Sequence, residues 1–394
     1  MRQAEPIPES TRSAKEKLAA GDISAASALL SQQLIETPGD RETRYYYCVC
    51  LRYLKKLDSA KSALDALIED FPRYARGHQE MGYTLKSLDQ TQQAISAFRA
   101  AVTLNDALFG SWKALNELTN PQDHPLIQIE SAQQIENLGA LPKALLQVRD
   151  LINEGRLAGA EQLCRLFLRR NPRHVEGMRL LAYLGIQTEV LDDAEILLEN
   201  AVAFEPENLL ARYDYMGVLY KRQKYEQAFQ EAEHLLEKDP NNVRHQTAYA
   251  NQCVAIGRFE EAIEIYEHVT PKVPDPAQVH LLKGHALKTI DQSELAIAAY
   301  RDAYGARSSF GDAYWSLANL KTYRFDATEV DQMLGFVGSD AVPSIDQIHL
   351  NFALGKHFED QQDFEQSFQF YKTGNAIKQS AIGFDSELLS NRLK

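Results

Sequence analysis

The residues able to do chemistry are scattered along this chain rather than grouped. No His-Glu-x-x-His, Cys-x-x-Cys or Gly-x-Ser-x-Gly segment occurs. The spacings that build a zinc site, a dithiol pair or a nucleophile elbow are therefore missing from the sequence. Cys48 and Cys50 stand two apart, and on a helix that spacing points the thiols to different faces. Asp192-Asp193 and Glu260-Glu261 fall where helices are predicted to begin, and carboxylates there favour the positive end of the helix dipole. Gly305-Ala306-Arg307-Ser308-Ser309-Phe310-Gly311 precedes a predicted helix, as phosphate loops do. No strand leads into it, so it reads as a turn. These stretches predict no catalytic, cofactor-binding or metal-binding residue.

Composition narrows the class further. The 394 residues are 44% hydrophobic and 25% charged, with a formal net charge of -13, values of a globular protein. The acidic balance argues against nonspecific binding to nucleic acid or anionic membranes, which needs excess positive charge. Cys48, Cys50, Cys164 and Cys253 are too few for a disulfide framework and read as small buried residues in a reducing compartment. No apolar run approaches the ~20 residues of a membrane span, and the N-terminus lacks the apolar core of a signal peptide. A cytoplasmic location is the expectation.

The elements that would position any site show themselves through spacing. Pro172, Pro206, Pro240 and Pro274 recur every 34 residues, each twelve residues after an alanine: Ala160, Ala194, Ala228 and Ala262. Proline stops a helix because it lacks the amide donor and clashes with the preceding turn. A small residue marks where two helices approach closely. Together they describe one helix-turn-helix unit copied head to tail, and the period resembles the tetratricopeptide repeat (TPR). The fold class expected is all-α, a right-handed TPR superhelix, or α-solenoid, of about eleven units. In a 34-position register, Ala14, Cys48 and Gly82 take position 8 of the first three units, and Ala26, Ala60 and Ala94 take position 20. Asn120-Pro121-Gln122-Asp123-His124-Pro125 interrupts the pattern as a loop would. The predicted organisation is an N-terminal TPR block over 1–116, an irregular connector or hinge over 117–140, and a second TPR block over 141–378. The polar 379–394 tail would be a possible linker to a further domain.

The TPR resemblance implies that positions 2, 5, 9 and 12 of each first helix face a concave groove. Those positions hold Arg52, Arg76, Lys86, Lys113, Arg149, Arg179, Arg244, Lys288 and Lys356 against Glu42, Glu117, Glu176, Asp312 and Glu359. The sign of the whole chain is thereby inverted. Tyr45, Tyr83, Tyr183, Tyr213, Tyr220, Trp315 and Phe352 interleave with the bases. Arginine binds carboxylates bidentately and packs on rings, so the expected occupant is an extended acidic protein or peptide. Asn251 and Asn319 stand at position 9, where the O-linked N-acetylglucosamine transferase superhelix uses asparagine to hold a peptide backbone. Merely solvated helix faces are the competing reading of the same residues.

A narrower resemblance lies near the end. Ala313-Tyr314-Trp315-Ser316-Leu317-Ala318-Asn319-Leu320-Lys321-Thr322 with Phe325, and His349-Leu350-Asn351-Phe352-Ala353-Leu354-Gly355-Lys356, are more particular than a generic repeat. So are Phe358-Glu359-Asp360, Asp363-Phe364-Glu365-Gln366-Ser367-Phe368 and Tyr371-Lys372-Thr373-Gly374-Asn375-Ala376. They resemble the final repeats of the bacterial TPR-sulfotransferase family. That resemblance implies the non-catalytic, protein-binding half of a sulfotransferase-like protein. The cofactor 3′-phosphoadenylyl sulfate would apply only if a C-terminal catalytic domain follows, because the family's Pro-Arg-Ser-Gly-type loop does not occur before Lys394. A free-standing TPR scaffold is the alternative.

Overall fold

The structure is a computed structural model that describes residues 8–382. Among the described residues there are twenty-two α-helices, one 3-10 turn and no strand. They divide into two compact units, before and after the junction of Glu205 and Pro206.

The first unit runs through α1 (Glu9–Ala19), α2 (Ile23–Glu36), α3 (Arg41–Tyr53), α4 (Leu57–Asp70), α5 (Ala75–Ser87) and α6 (Thr91–Leu104). It continues with α7 (Phe109–Leu118), α8 (Pro125–Gly139), α9 (Lys143–Asn153), α10 (Leu157–Arg170), α11 (Val175–Gln187) and α12 (Leu191–Phe204). The second unit holds α13 (Leu209–Lys221), α14 (Tyr225–Lys238), α15 (Val243–Ala255), α16 (Phe259–Val269), α17 (Ala277–Thr289) and α18 (Ser293–Ala306). It ends with α19 (Gly311–Ala318), α20 (Ala327–Phe336), α21 (Ser344–Asp360) and α22 (Phe364–Ile382). Odd-numbered helices open a repeat and even-numbered ones close it.

Local chemistry sets these boundaries. After Pro206 and Pro240 stop their helices, Asn208 and Asn242 begin the next. Asn208 Oδ1 accepts from the Ala211 amide at 3.0 Å, and Asn242 Oδ1 accepts from the Arg244 amide at 3.0 Å, satisfying donors that a helix start leaves open. Within a repeat the chain reverses through one left-handed residue. Gly21, Lys55, Asp89, Gly155, Glu189, Gln223, Gly257, Asp291 and Gln362 have φ between 58° and 86°. Six of these nine are not glycine, and each such residue costs about 1 kcal/mol. The turn persists because the next amide closes back on the helix, as Lys224 does on the Leu219 carbonyl at 2.9 Å.

Positions 8 and 24 meet inside each repeat, and their volumes trade. Gly82 faces Phe98, Gly284 faces Tyr300 and Gly355 faces Tyr371. A Cβ at these glycines would sit 2.7, 2.5 and 2.8 Å from the ring. Where position 24 is leucine, position 8 is Ala14, Cys48 or Ala182; where it is Ala232, position 8 is Met216. Close packing tolerates one large partner per pair. All four cysteines are buried. Burial pushes the Cys48 and Cys164 thiols up to about 12, and Cys50 and Cys253 to about 11, so they serve as small apolar side chains.

The stretch expected as an irregular connector is a helix pair. Pro125 takes the first turn of α8, where its missing amide costs nothing. Leu138 of α8 is buried with Trp112 and Leu115 of α7. The loop between them is held by side chains: Asn120 Oδ1 accepts from the amides of Gln122 and Asp123 at 3.0 and 2.9 Å. Gln128 Nε2 donates to the Asn116 and Thr119 carbonyls at 2.8 and 2.6 Å. The two compact units part near residue 205. Across this helix pair, α9 reaches back to the repeat before it. Arg76 of α5 pairs with both Asp150 and Glu154. Asn105 Nδ2 donates to Asp150 at 2.8 Å, Asn153 Nδ2 to Asn105 and Asp106 at 2.8 Å, and Arg149 to Asp106 at 2.8 Å. Asp106 stands at the repeat position that Pro172, Pro206, Pro240 and Pro274 hold in theirs. The break in the pattern thus supplies the acceptor for α9. The 379–382 part of the tail continues α22, and 383–394 lie outside the described residues.

Candidate interaction surface

The opening helices carry the residues expected to face a ligand, and the two units treat them differently. In the first unit Arg52 pairs with Glu80 and lies 4.5 Å from the Tyr53 ring centroid and 5.4 Å from that of Tyr83. Glu80 is 3% exposed; burial raises its pKa, and Arg52 opposes that shift. Lys86 meets Glu117 at 2.7 Å, Arg149 meets Asp106 at 2.8 Å, and Arg179 meets Glu176 at 2.6 Å. Arg76 is enclosed by its two carboxylates. Burial works against its charge, yet Asp150 and Glu154 drive its pKa upward. Lys113 sits 4.5 Å over the Phe109 ring. Tyr45 is buried edge-on between Tyr46 and Tyr74, so it belongs to the core. Tyr83 is half-buried against Phe98, and Tyr183 is 45% exposed.

The second unit leaves more of its chemistry open. The Arg244 guanidinium lies 3.9 Å from the Tyr213 ring centroid. Arg244 and Lys288 are exposed, and no carboxylate pairs with either among the described residues. Tyr220 is 46% exposed and packs edge-on against Tyr225. Asn251 Oδ1 accepts from the Tyr266 hydroxyl at 2.7 Å. One repeat later His285 Nδ1 and the Tyr300 hydroxyl are 3.0 Å apart. Burial lowers the His285 pKa, with Asp312 opposing. His285 was not singled out by charge or ring type. Its signal was the 34-residue offset from Asn251, matched by the same offset from Tyr266 to Tyr300. Trp315 packs on Phe352 at 5.6 Å between ring centroids, and Asn319 is exposed at the end of α19. Lys356 is engaged by Asp360 and Glu359, and Arg324 shares Asp360 at 3.2 Å.

The tally of nine bases against five acids therefore changes once neighbours are included. Glu80, Asp106, Asp150, Glu154 and Asp360 stand outside the four groove positions yet reach their cations. The glycine-serine turn is also committed internally. Asp346 Oδ1 accepts from the Gly311 amide at 2.9 Å, and Arg307 lies 4.0 Å over the Phe310 ring. Among the described residues no His, Cys, Asp and Glu group could hold a metal, and no helix is long and apolar enough to cross a membrane.

Two tetratricopeptide repeat family models match the chain, one over residues 17–80, 189–251 and 219–286, the other over 75–107 and 277–310. Jointly they span more than half of it. The chain belongs to the tetratricopeptide repeat family. Outside the matched stretches the TPR packing persists: Val148 with Cys164, and Gly355 with Tyr371, keep the 8-to-24 pairing. No curated protein matches the sequence. Among solved structures, MamA (residues 41 to the end) from Desulfovibrio magneticus RS-1 is 16% identical with a TM-score of 0.39, covering 43% of this chain and 98% of that one. MamA of AMB-1 is 20% identical at 0.39, covering 42% and 99%. The anaphase-promoting-complex hetero-tetramer Cut9–Hcn1 is 13% identical at 0.40, covering 92% and 79%.

Proposed function

We propose that this TPR protein is a protein-interaction module whose second unit holds an extended acidic segment on the opening helices α13, α15 and α17. The observation that carries this reading is Arg244. Its guanidinium is stacked 3.9 Å above Tyr213 with no carboxylate of its own, so its five donors are oriented and unspent. Lys288 adds a second uncompensated cation, and Tyr220 an exposed ring. The donor amide of Asn251 lies on the same series of helices. An arginine flattened on a ring loses little further entropy on meeting a carboxylate, which favours it as an anchor.

Fluorescence anisotropy with labelled Asp/Glu-rich peptides tests this. The expected result is binding that weakens steeply as salt rises and falls at least tenfold in the double variant Arg244→Glu/Lys288→Glu. Equal affinity of variant and parent would overturn it. The first-unit pair Arg149 and Arg179 is a poorer target, because each already holds a carboxylate.

The finer reading, that this is the repeat half of a sulfotransferase-like polypeptide, rests on the residues of 313–376. Ala313, Tyr314, Leu317, Phe325, Leu350, Ala353 and Leu354 of that stretch share one buried cluster, so they act as a structural block. Reading the coding DNA past Lys394 tests it. A strand followed by a Pro-Arg-Ser-Gly-type loop supports it, and a stop codon favours the scaffold.

A further inference from the structure

Repeats of this kind bury the closing helix of one unit under the opening helix of the next. Position 21 lies in that contact. Ile95 and Phe229 there are each 4% exposed, and Ile263 and Ile297 are half-buried against a core cluster. Phe229 shows what covers it: the Tyr249 ring of the following helix lies 5.2 Å away, and Arg258 lies 4.6 Å over its face. Phe368 of α22 stands at the same position and is 62% exposed, with Phe364 one turn earlier at 68%.

The other face of α22 is already used. Ser367 Oγ donates to the Gly355 carbonyl at 2.8 Å, and Phe370 stacks on Phe358 at 5.4 Å. Phe364, Phe368 and Lys372 are spaced by four residues and share a stripe beside that face, with Glu365 next to them. Glu365 and Lys372 are exposed, and neither forms an ion pair among the described residues.

We propose that this stripe is a self-association surface, covered by α22 of a second copy of the chain running antiparallel. Three features favour that occupant. Phe229, at the same position, is covered by α15, the helix that follows its own. Two copies related by a two-fold axis near Phe368 bring the four phenylalanines together. The same axis, passing between Phe368 and Gln369, sets Glu365 of each copy opposite Lys372 of the other, because the two residues lie equally far from it. An isologous contact of this kind closes on itself. Four aromatic side chains bury about 600–1,000 Å², less than the roughly 1,200–2,000 Å² of a tight interface, so the dimer is weak and concentration-dependent.

Sedimentation equilibrium of the full chain over a range of concentrations tests this, with circular dichroism confirming the fold of each variant. The parent should dimerise reversibly and Phe368→Glu should be monomeric. Lys372→Glu sets like charges against each other and should weaken dimerisation about tenfold. The charge exchange Glu365→Lys/Lys372→Glu should restore it. A parent that stays monomeric, a dimer untouched by Phe368→Glu, or an exchange variant that fails to recover would each overturn the proposal.

Discussion

The two units are built from the same repeat but differ in what they do with their cations. In the first, Arg52, Arg76, Lys86, Arg149 and Arg179 are all held by carboxylates of the chain itself. In the second, Lys356 is held by Asp360 and Glu359 but Arg244 and Lys288 are not, and in the first Lys113 has only the Phe109 ring beside it among the described residues. Equivalent positions on equivalent helices thus carry opposite consequences. A cation whose partner is supplied in cis stabilises the fold; one left with only a ring beneath it is available to something else. The electrostatic character of a repeat surface depends on residues just outside the nominal groove positions, such as Glu80 and Asp106.

The largest expected effect breaks this contrast at Arg76. Arg76→Met would leave Asp150 partly buried without its cation, and Glu154 with only Arg156 at 3.6 Å, and should cost roughly 3 kcal/mol. The loss would be read as a lower urea midpoint for the first unit. Arg244→Met in the second unit should cost no more than about 0.5 kcal/mol while weakening acidic-peptide binding. Equal stability losses at both positions would erase the contrast between the two arginines.

Core packing, by contrast, should behave alike in both units. Gly82→Ala and Gly284→Ala each drive a Cβ into the facing ring, and each should cost about 1–3 kcal/mol. Adding Tyr300→Leu to Gly284→Ala recreates the pairing seen at Ala182 and Leu198, and should recover most of that loss. Thermal melts of the single and double variants report it; a double variant less stable than the single would contradict the volume trade. The smallest effect is a gain. Glu189→Gly and Gln223→Gly, one in each unit, relieve a left-handed residue at φ 61° and should stabilise by about 0.5–1 kcal/mol apiece. A loss in either would place an unsuspected contact at that turn.

Much of the fold was legible because each repeat encodes its own boundaries. Prolines at 34-residue intervals, the asparagines two residues after Pro206 and Pro240, and a small residue at position 8 act over short distances, and the helices begin and end where those residues require. Residues 117–140 were harder to read. Asn120–Pro125 does form a loop, but Pro125 also opens α8, and nothing local reveals that Leu138 will reach the core. The candidate surface was half legible. Its positions followed from the register, whereas the partners of Arg52, Arg76 and Arg149 lie 28 to 78 residues away and answer to no period.

The sequence by itself determined the helical repeat and the alternation of large and small residues that lets helices meet. Those properties depend on near neighbours and on one interval. Only the tertiary structure decided which cations are spent and which are free, because an ion pair depends on distance in space between side chains that the chain keeps far apart. The acidic residues that neutralise the first unit, and the absence of such partners beside Arg244, exist only once the repeats have stacked.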